Sequence, residues 1–207
     1  MSRTTETPVG AYSQGVVARI ETDQAPAAFT DAVRQIQHAV MRPEVVVDEM
    51  PAPQRIAPQA YAISGDVTVG SDDLGTGRFI LLHDPAGNDA WGGTFRCVTF
   101  ARADIDGDMA ADPLLPNVGW SWLMEALGAH DADHGAASGS VTVVRSEGFG
   151  EMEEDGSDAQ IEVRASWTPL SEKGNHAAAW SNLLCAIAGL PPLAPGVVPL
   201  QRRRGGR

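Results

Sequence analysis

His130 and His134 stand four residues apart in LMEALGAHDADH, the separation at which a helix presents two imidazoles on one face to a metal ion. Asp131 and Asp133 lie beside them, and His83 with Asp84, at the end of a strand-like run, can supply further ligands. His83, Asp84, His130 and His134 are therefore the candidate site for a metal-dependent enzyme or a small-ligand protein. Two features weigh against it. Gly128 and Gly135 bracket the pair, and glycines at such positions favour a helix that stops before both rings share a face. No glutamate follows His130, as a helical metalloprotease motif requires.

Three other patterns fail on their details. Asp104, Asp106 and Asp108 alternate as in a calcium loop, but glycine stands fourth instead of sixth, and Leu115 occupies the twelfth place, where a bidentate glutamate belongs. Gly119-Trp120-Ser121-Trp122-Leu123 has leucine where a nucleophile elbow needs its second glycine. Gly75-Thr76-Gly77 precedes a strand instead of opening a helix, so it reads as a turn and not as a phosphate cradle. Cys97 and Cys185, without paired spacing, read as small core hydrophobes. No cofactor and no catalytic residue is expected.

What remains is contact chemistry. Trp91 stands in a glycine-rich hairpin loop, where a large aromatic can anchor a partner or fold back over the sheet edge. Pro51, Pro53 and Arg55 belong to PAPQRIAP, whose proline spacing holds an extended form. That segment is a docking strip or a crossover between strands. Arg202, Arg203, Arg204 and Arg207 place four positive charges in a C-terminal tail, where they are solvated or meet RNA, a membrane surface or an acidic partner.

The elements that must position these residues follow from periodicity. Phe29, Val33, Ile36 and Val40 mark one face of a helix after Pro26 that Pro43 is expected to stop. EVVVDE and Tyr61 to Val69 read as strands, with the prolines between them. RFILLHD and TFRCVTFARA read as a hairpin, in which Phe95, Cys97, Thr99 and Ala101 face one way and Arg96, Val98, Phe100 and Arg102 the other. A helix capped by Asn117 carries Trp120, Leu123, Met124 and Leu127. Strands at Ser140 to Arg145 and QIEVRASWT follow, then a helix from about Asn175 with Trp180, Leu183, Leu184 and Ile187. Strand, strand, helix thus occurs twice, either as a duplicated unit or as two ordinary amphipathic helices. The fold class expected is α+β, an antiparallel sheet with helices packed on one face.

Residues 1–22 form a loose arm, 23–194 one domain and 195–207 a Pro/Arg-rich tail. With 207 residues, 43% hydrophobic and 20% charged, the chain can bury a core without disulfides or metal. Its net charge is −12, and removing the four tail arginines leaves −16, a body that repels a phosphate backbone. Nucleic acid is disfavoured except through the tail. No basic-then-apolar leader and no apolar run near the roughly 18 residues of a membrane span appears, so a cytoplasmic, soluble protein with no membrane contact is expected.

The blocks PEVVVDEMPAPQRIAP, FILLHDPAGNDAWGGTFRCVTFARADI, MAADPLLPNVGWSWLMEAL and EVRASWTP resemble an actinobacterial domain-of-unknown-function family, number 3000, over roughly residues 27 to 195. The resemblance implies a soluble bacterial protein and brings no activity, cofactor or catalytic residue with it. With no nucleophile–base, metal or phosphate constellation intact, the expectation is a non-enzymatic interaction or adaptor protein with a protein partner.

Overall fold

The computed structural model describes residues 25–151 and 157–193. The predicted arm at 1–22, the tail arginines Arg202, Arg203, Arg204 and Arg207, and the carboxylates Glu153, Glu154 and Asp155 lie outside the described residues. In chain order the elements are α1 (Ala27–Gln37), β1 (Val45–Met50), β2 (Gln59–Val69), β3 (Asp72–Asn88), β4 (Gly93–Asp104), α2 (Gly107–Ala110), α3 (Leu115–Ala129), β5 (His134–Glu147), β6 (Ser157–Pro169) and α4 (Lys173–Ile187). The six strands form one antiparallel sheet in the order β1-β2-β3-β4-β6-β5. No helix among the described residues is long and apolar enough to cross a membrane.

The period-2 alternation divides the sheet cleanly. Phe79, Leu81, Cys97, Ala101, Ile161, Val163 and Trp167 are buried beneath the helices, while Arg78, Phe100, Arg102 and Arg164 point to the other side, as the alternation requires. Predicted and observed faces agree on β4 and β6. The β3–β4 hairpin is followed by α3, which packs over β5 and β6, and the β5–β6 hairpin is followed by α4, which packs over β3 and β4. Each helix thus covers the hairpin of the other, with β4 and β6 joined at the middle. The 60-residue offset that aligns Trp120 with Trp180 also maps Arg102 onto Glu162, and these two face each other across the β4–β6 junction.

Gly75 and Gly77 are not a turn. They lie within β3, where Gly77 pairs with Gly65 and Gly75 with Val67; the chain reverses instead at Gly70, in a left-handed conformation with φ +65°. The physical reason is α4. A Cβ on Gly65 would come within 2.7 Å of the Trp180 ring, and one on Gly77 would collide with Leu184. The glycine pair gives the indole a flat floor of backbone. Trp120 uses Gly139 of β5 in the same way, at 2.9 Å from the position a Cβ would take.

Helix ends differ from expectation where tertiary contacts take over the chain. α1 stops at Gln37, not at Pro43, and leaves Val40 exposed. Residues beyond it are drawn to α4, where the Arg42 N–H donates to Ser181 Oγ (3.0 Å) and the Arg42 guanidinium pairs with Glu44 and donates to Pro191 O. α3 begins at Leu115, two residues before Asn117, with Pro116 in its first turn where no amide is needed. Asn117 is exposed and caps nothing. α4 likewise starts two residues early, at Lys173.

Candidate functional site

The histidine quartet does not assemble as its spacing suggested. α3 ends at Ala129, His130 is its C-cap, Asp131 turns the chain with φ +50°, and His134 already opens β5. The two rings therefore do not share a helical face. His130 lies against Asn182 of α4 in a groove of about 540 Å³ that Arg42 and His38 also line, but that His83, Asp84 and His134 do not. His83 points into the core side of β3, between Phe29 (5.8 Å) and Phe95 (4.3 Å), with Nδ1 on Gln59 Oε1 at 3.1 Å. Burial pushes its pKa down, as it does that of His130. Asp84 faces the other way and accepts from the Ala86 amide. Among the described residues no three His, Cys, Asp or Glu side chains are placed to hold a metal ion.

The other nucleophile and ligand motifs are occupied structurally. Ser121 Oγ donates to Val118 O inside α3. Asp106 caps α2 by accepting from the Asp108 amide. Cys97 and Cys185 are fully buried, and desolvation raises both thiols, Cys185 to about 12. A thiolate is thereby disfavoured at each.

Trp91 and the Pro51–Arg55 segment come to one end of the sheet, because β2 leaves that segment at Gln59, which pairs with His83, and the β3–β4 turn closes at Asn88–Gly93. The ladder of β3 and β4 is interrupted between His83 and Asn88, letting the tip bend. Thr168, on the outward side of β6, donates its hydroxyl to the Trp91 carbonyl. Trp91 is half-buried, so its turn folds back over the outward face at this end, while Pro51 and Arg55 stay exposed and Arg55 takes φ +74°.

Between that turn and the far end, no described helix covers the outward face. Its surface forms an open concavity of about 890 Å³. One cross-strand row reads Ser64, Arg78, Phe100, Arg164, Ser140, and the next reads Asp66, Thr76, Arg102, Glu162, Thr142. Phe100 is thus flanked by two arginines, and the Arg164 guanidinium carbon sits 5.5 Å from its ring centroid. Ile80 and Val98 continue the apolar strip, both half-buried. Arg164 also pairs with Glu162 at 2.7 Å, and Asp66 accepts from Thr76 at 2.7 Å. Asp48 lies on the same side on the edge strand. Among the described residues neither Arg78 nor Arg102 makes an ion pair, and both are exposed.

Arg96 forms the floor at the covered end. It is 8% exposed and donates to Ala136 O (3.0 Å), Thr168 Oγ1 (3.1 Å) and Ser166 Oγ (2.8 Å), all neutral acceptors. Its first acceptor belongs to the bulge of β5, where pairing with β6 skips from Gly135 to Ser138 and Ala136 takes φ +49°. Such a bulge leaves a carbonyl without a ladder partner, and Arg96 satisfies it. Burial lowers the Arg96 pKa without removing its charge, since a guanidinium remains protonated in proteins.

The arginine face was absent from the sequence-derived candidates. Each of its members occupies an outward position of an alternating strand, so the signal was present residue by residue. Their convergence depends on β6 lying beside β4, a long-range pairing that no local pattern announces. Chemically the surface offers guanidinium and hydroxyl donors beside one aromatic strip, with no activated nucleophile.

A family model described as Protein of unknown function (DUF3000) matches residues 25–198 of the chain. No curated protein matches, and no solved structure does.

Proposed function

The chain belongs to the DUF3000 family, and for this member we propose a non-enzymatic role as a cytoplasmic interaction or adaptor protein that binds a protein partner on the outward face of its sheet. The observation that carries the reading is one-sided coverage among the described residues: α1, α3 and α4 all pack into the core on the same side of the sheet, while the opposite side keeps Ile80, Val98 and Phe100 half-buried among exposed arginines. An apolar strip rimmed by charge is the composition of a contact surface. Trp91 and the Pro51, Pro53, Arg55 segment border that face at one end and extend it.

The expected result is capture, from lysate of the native cell, of a discrete partner that Phe100→Ser releases at least tenfold more readily, on the order of 1.4 kcal/mol. Val118→Ser, on the exposed side of α3, should leave capture unchanged. Equal capture by both variants, each shown to melt as the wild type does, contradicts the proposal.

A further inference from the structure

We infer that the occupant of the outward face is an extended, acidic segment of a partner protein, recognised by Arg78, Arg102 and Arg164 around Phe100. This rests on the interaction reading above and names its chemistry. The body as a whole is acidic, with a net charge of −12, and carboxylates stand on this face too, at Asp48, Asp66, Asp84, Asp104, Asp158 and Glu162, yet the concavity around Phe100 is lined by Arg78, Arg102 and Arg164 and by no carboxylate. Positive charge is therefore gathered around Phe100, at the centre of the side that the described helices leave uncovered. Two of the three, Arg78 and Arg102, have no ion-pair partner among the described residues.

Geometry narrows the ligand further. Arg78 and Arg164 stand on β3 and β6 with only β4 between them, in one cross-strand row, which places their backbones roughly 10 Å apart at the usual strand spacing. A chain in the extended polyproline II form laid across the strands advances about 3.1 Å per residue and turns once in three residues, so carboxylates three residues apart share a face and match that separation. The residues between them lie over Phe100 and Val98. On the flanks, the Ser140 hydroxyl can donate to its backbone carbonyls, while Ser64 and Thr76, which donate to Asp48 O and Asp66, can accept from its amides. Single-stranded nucleic acid fits less well. Base recognition on an open sheet uses exposed aromatic faces, and the Phe100 ring already has the Arg164 guanidinium over it, while the surrounding body repels phosphate.

The test is fluorescence anisotropy of the full chain with three labelled probes: a peptide of about twelve residues repeating Glu-Leu-Ser, its Gln-Leu-Ser counterpart, and an oligouridine of similar length. The acidic peptide should bind at least tenfold more tightly than either other probe. Its affinity should fall at least tenfold in the Arg78→Glu, Arg102→Glu double variant, and again on raising salt from about 50 to about 300 mM, where screening shortens the reach of surface charge. Equal binding of the acidic and neutral peptides, an unaffected double variant, or tighter oligouridine binding overturns the inference. If the acidic peptide fails while Phe100→Ser still releases the native partner, the face remains an interaction surface and its preference for carboxylates falls. If both fail, the interaction reading falls with it.

Discussion

Trp180→Ala is expected to lower the unfolding free energy by about 3 to 5 kcal/mol, the range for emptying a fully buried aromatic site. Trp180 has no exposed surface, packs 5.9 Å from Phe79 between ring centroids, and rests on the Gly65–Gly77 pair. Removing it leaves a hole with no neighbour able to fill it, because glycines form its floor and strand backbone does not collapse. Its indole nitrogen is buried without a hydrogen-bond partner, a cost that Trp180→Phe relieves. That variant should therefore lose under about 1.5 kcal/mol. Trp120 is only half-buried, so Trp120→Ala should cost about 1 to 2 kcal/mol in proportion to the area it covers. Urea melts compare the three directly. A Trp180→Ala loss no larger than that of Trp120→Ala contradicts the packing of α4 on the glycine floor.

Acid is expected to destabilise the fold through His176, which is fully buried at the start of α4. Trp167 Nε1–H donates to its Nδ1 at 3.0 Å, so the ring proton sits on Nε2, facing Ser171 Oγ at 3.3 Å. Burial, then the nearby charges of Lys173 and His134, holds its pKa down to about 3 from an ordinary value of 6.5. Protonation of Nδ1 would forfeit the bond from Trp167 and leave a charge in the core. Since the folded pKa lies below the unfolded one, the folded state binds fewer protons between them. Its contribution to stability is fully present above about pH 6.5 and is lost as pH falls toward 3. At pH 4.5 the loss is about 2 to 3 kcal/mol. His83 and His130 are lowered too, and carboxylates titrate in the same window, so the decisive quantity is a difference. His176→Gln keeps an acceptor for Trp167 and removes the titration. Between pH 7 and 4.5 it should lose about 2 to 3 kcal/mol less than wild type. Parallel stability curves for the two proteins contradict the assignment.

The legible part of this fold lay in its periods. Alternation on TFRCVTFARA and QIEVRASWT assigned inner and outer residues that the sheet keeps, and the spacing of Trp180, Leu183, Leu184 and Ile187 marked the buried face of α4. What local pattern could not provide was competition from distant parts of the chain. Gly75 and Gly77 carry turn chemistry in isolation, and only the weight of Trp180 and Leu184 on them makes a strand the better answer. His130 and His134 have helical spacing, yet the chain leaves α3 at Ala129 so that Ala132 can be buried and His134 can pair with Pro169. His83 and Asp84 are neighbours in sequence and opposites in space, as successive strand residues must be. For the candidate surface, Trp91, Pro51, Pro53 and Arg55 were legible as loop residues. The arginine row was not, because Arg78 and Arg164 are separated by 86 positions and meet only through the β4–β6 pairing.

Thiol labelling of Thr76→Cys, with and without the captured partner, addresses the bare face most directly. Thr76 is exposed on that side of β3, whereas the native Cys97 and Cys185 are buried beneath the helices. In the folded protein the new thiol should react as a solvent-exposed cysteine while the two native thiols stay silent, and bound partner should slow its labelling at least tenfold. A new thiol as silent as Cys97 in the free protein, or one labelled equally fast in the complex, would mean that this face is not where the protein meets its partner.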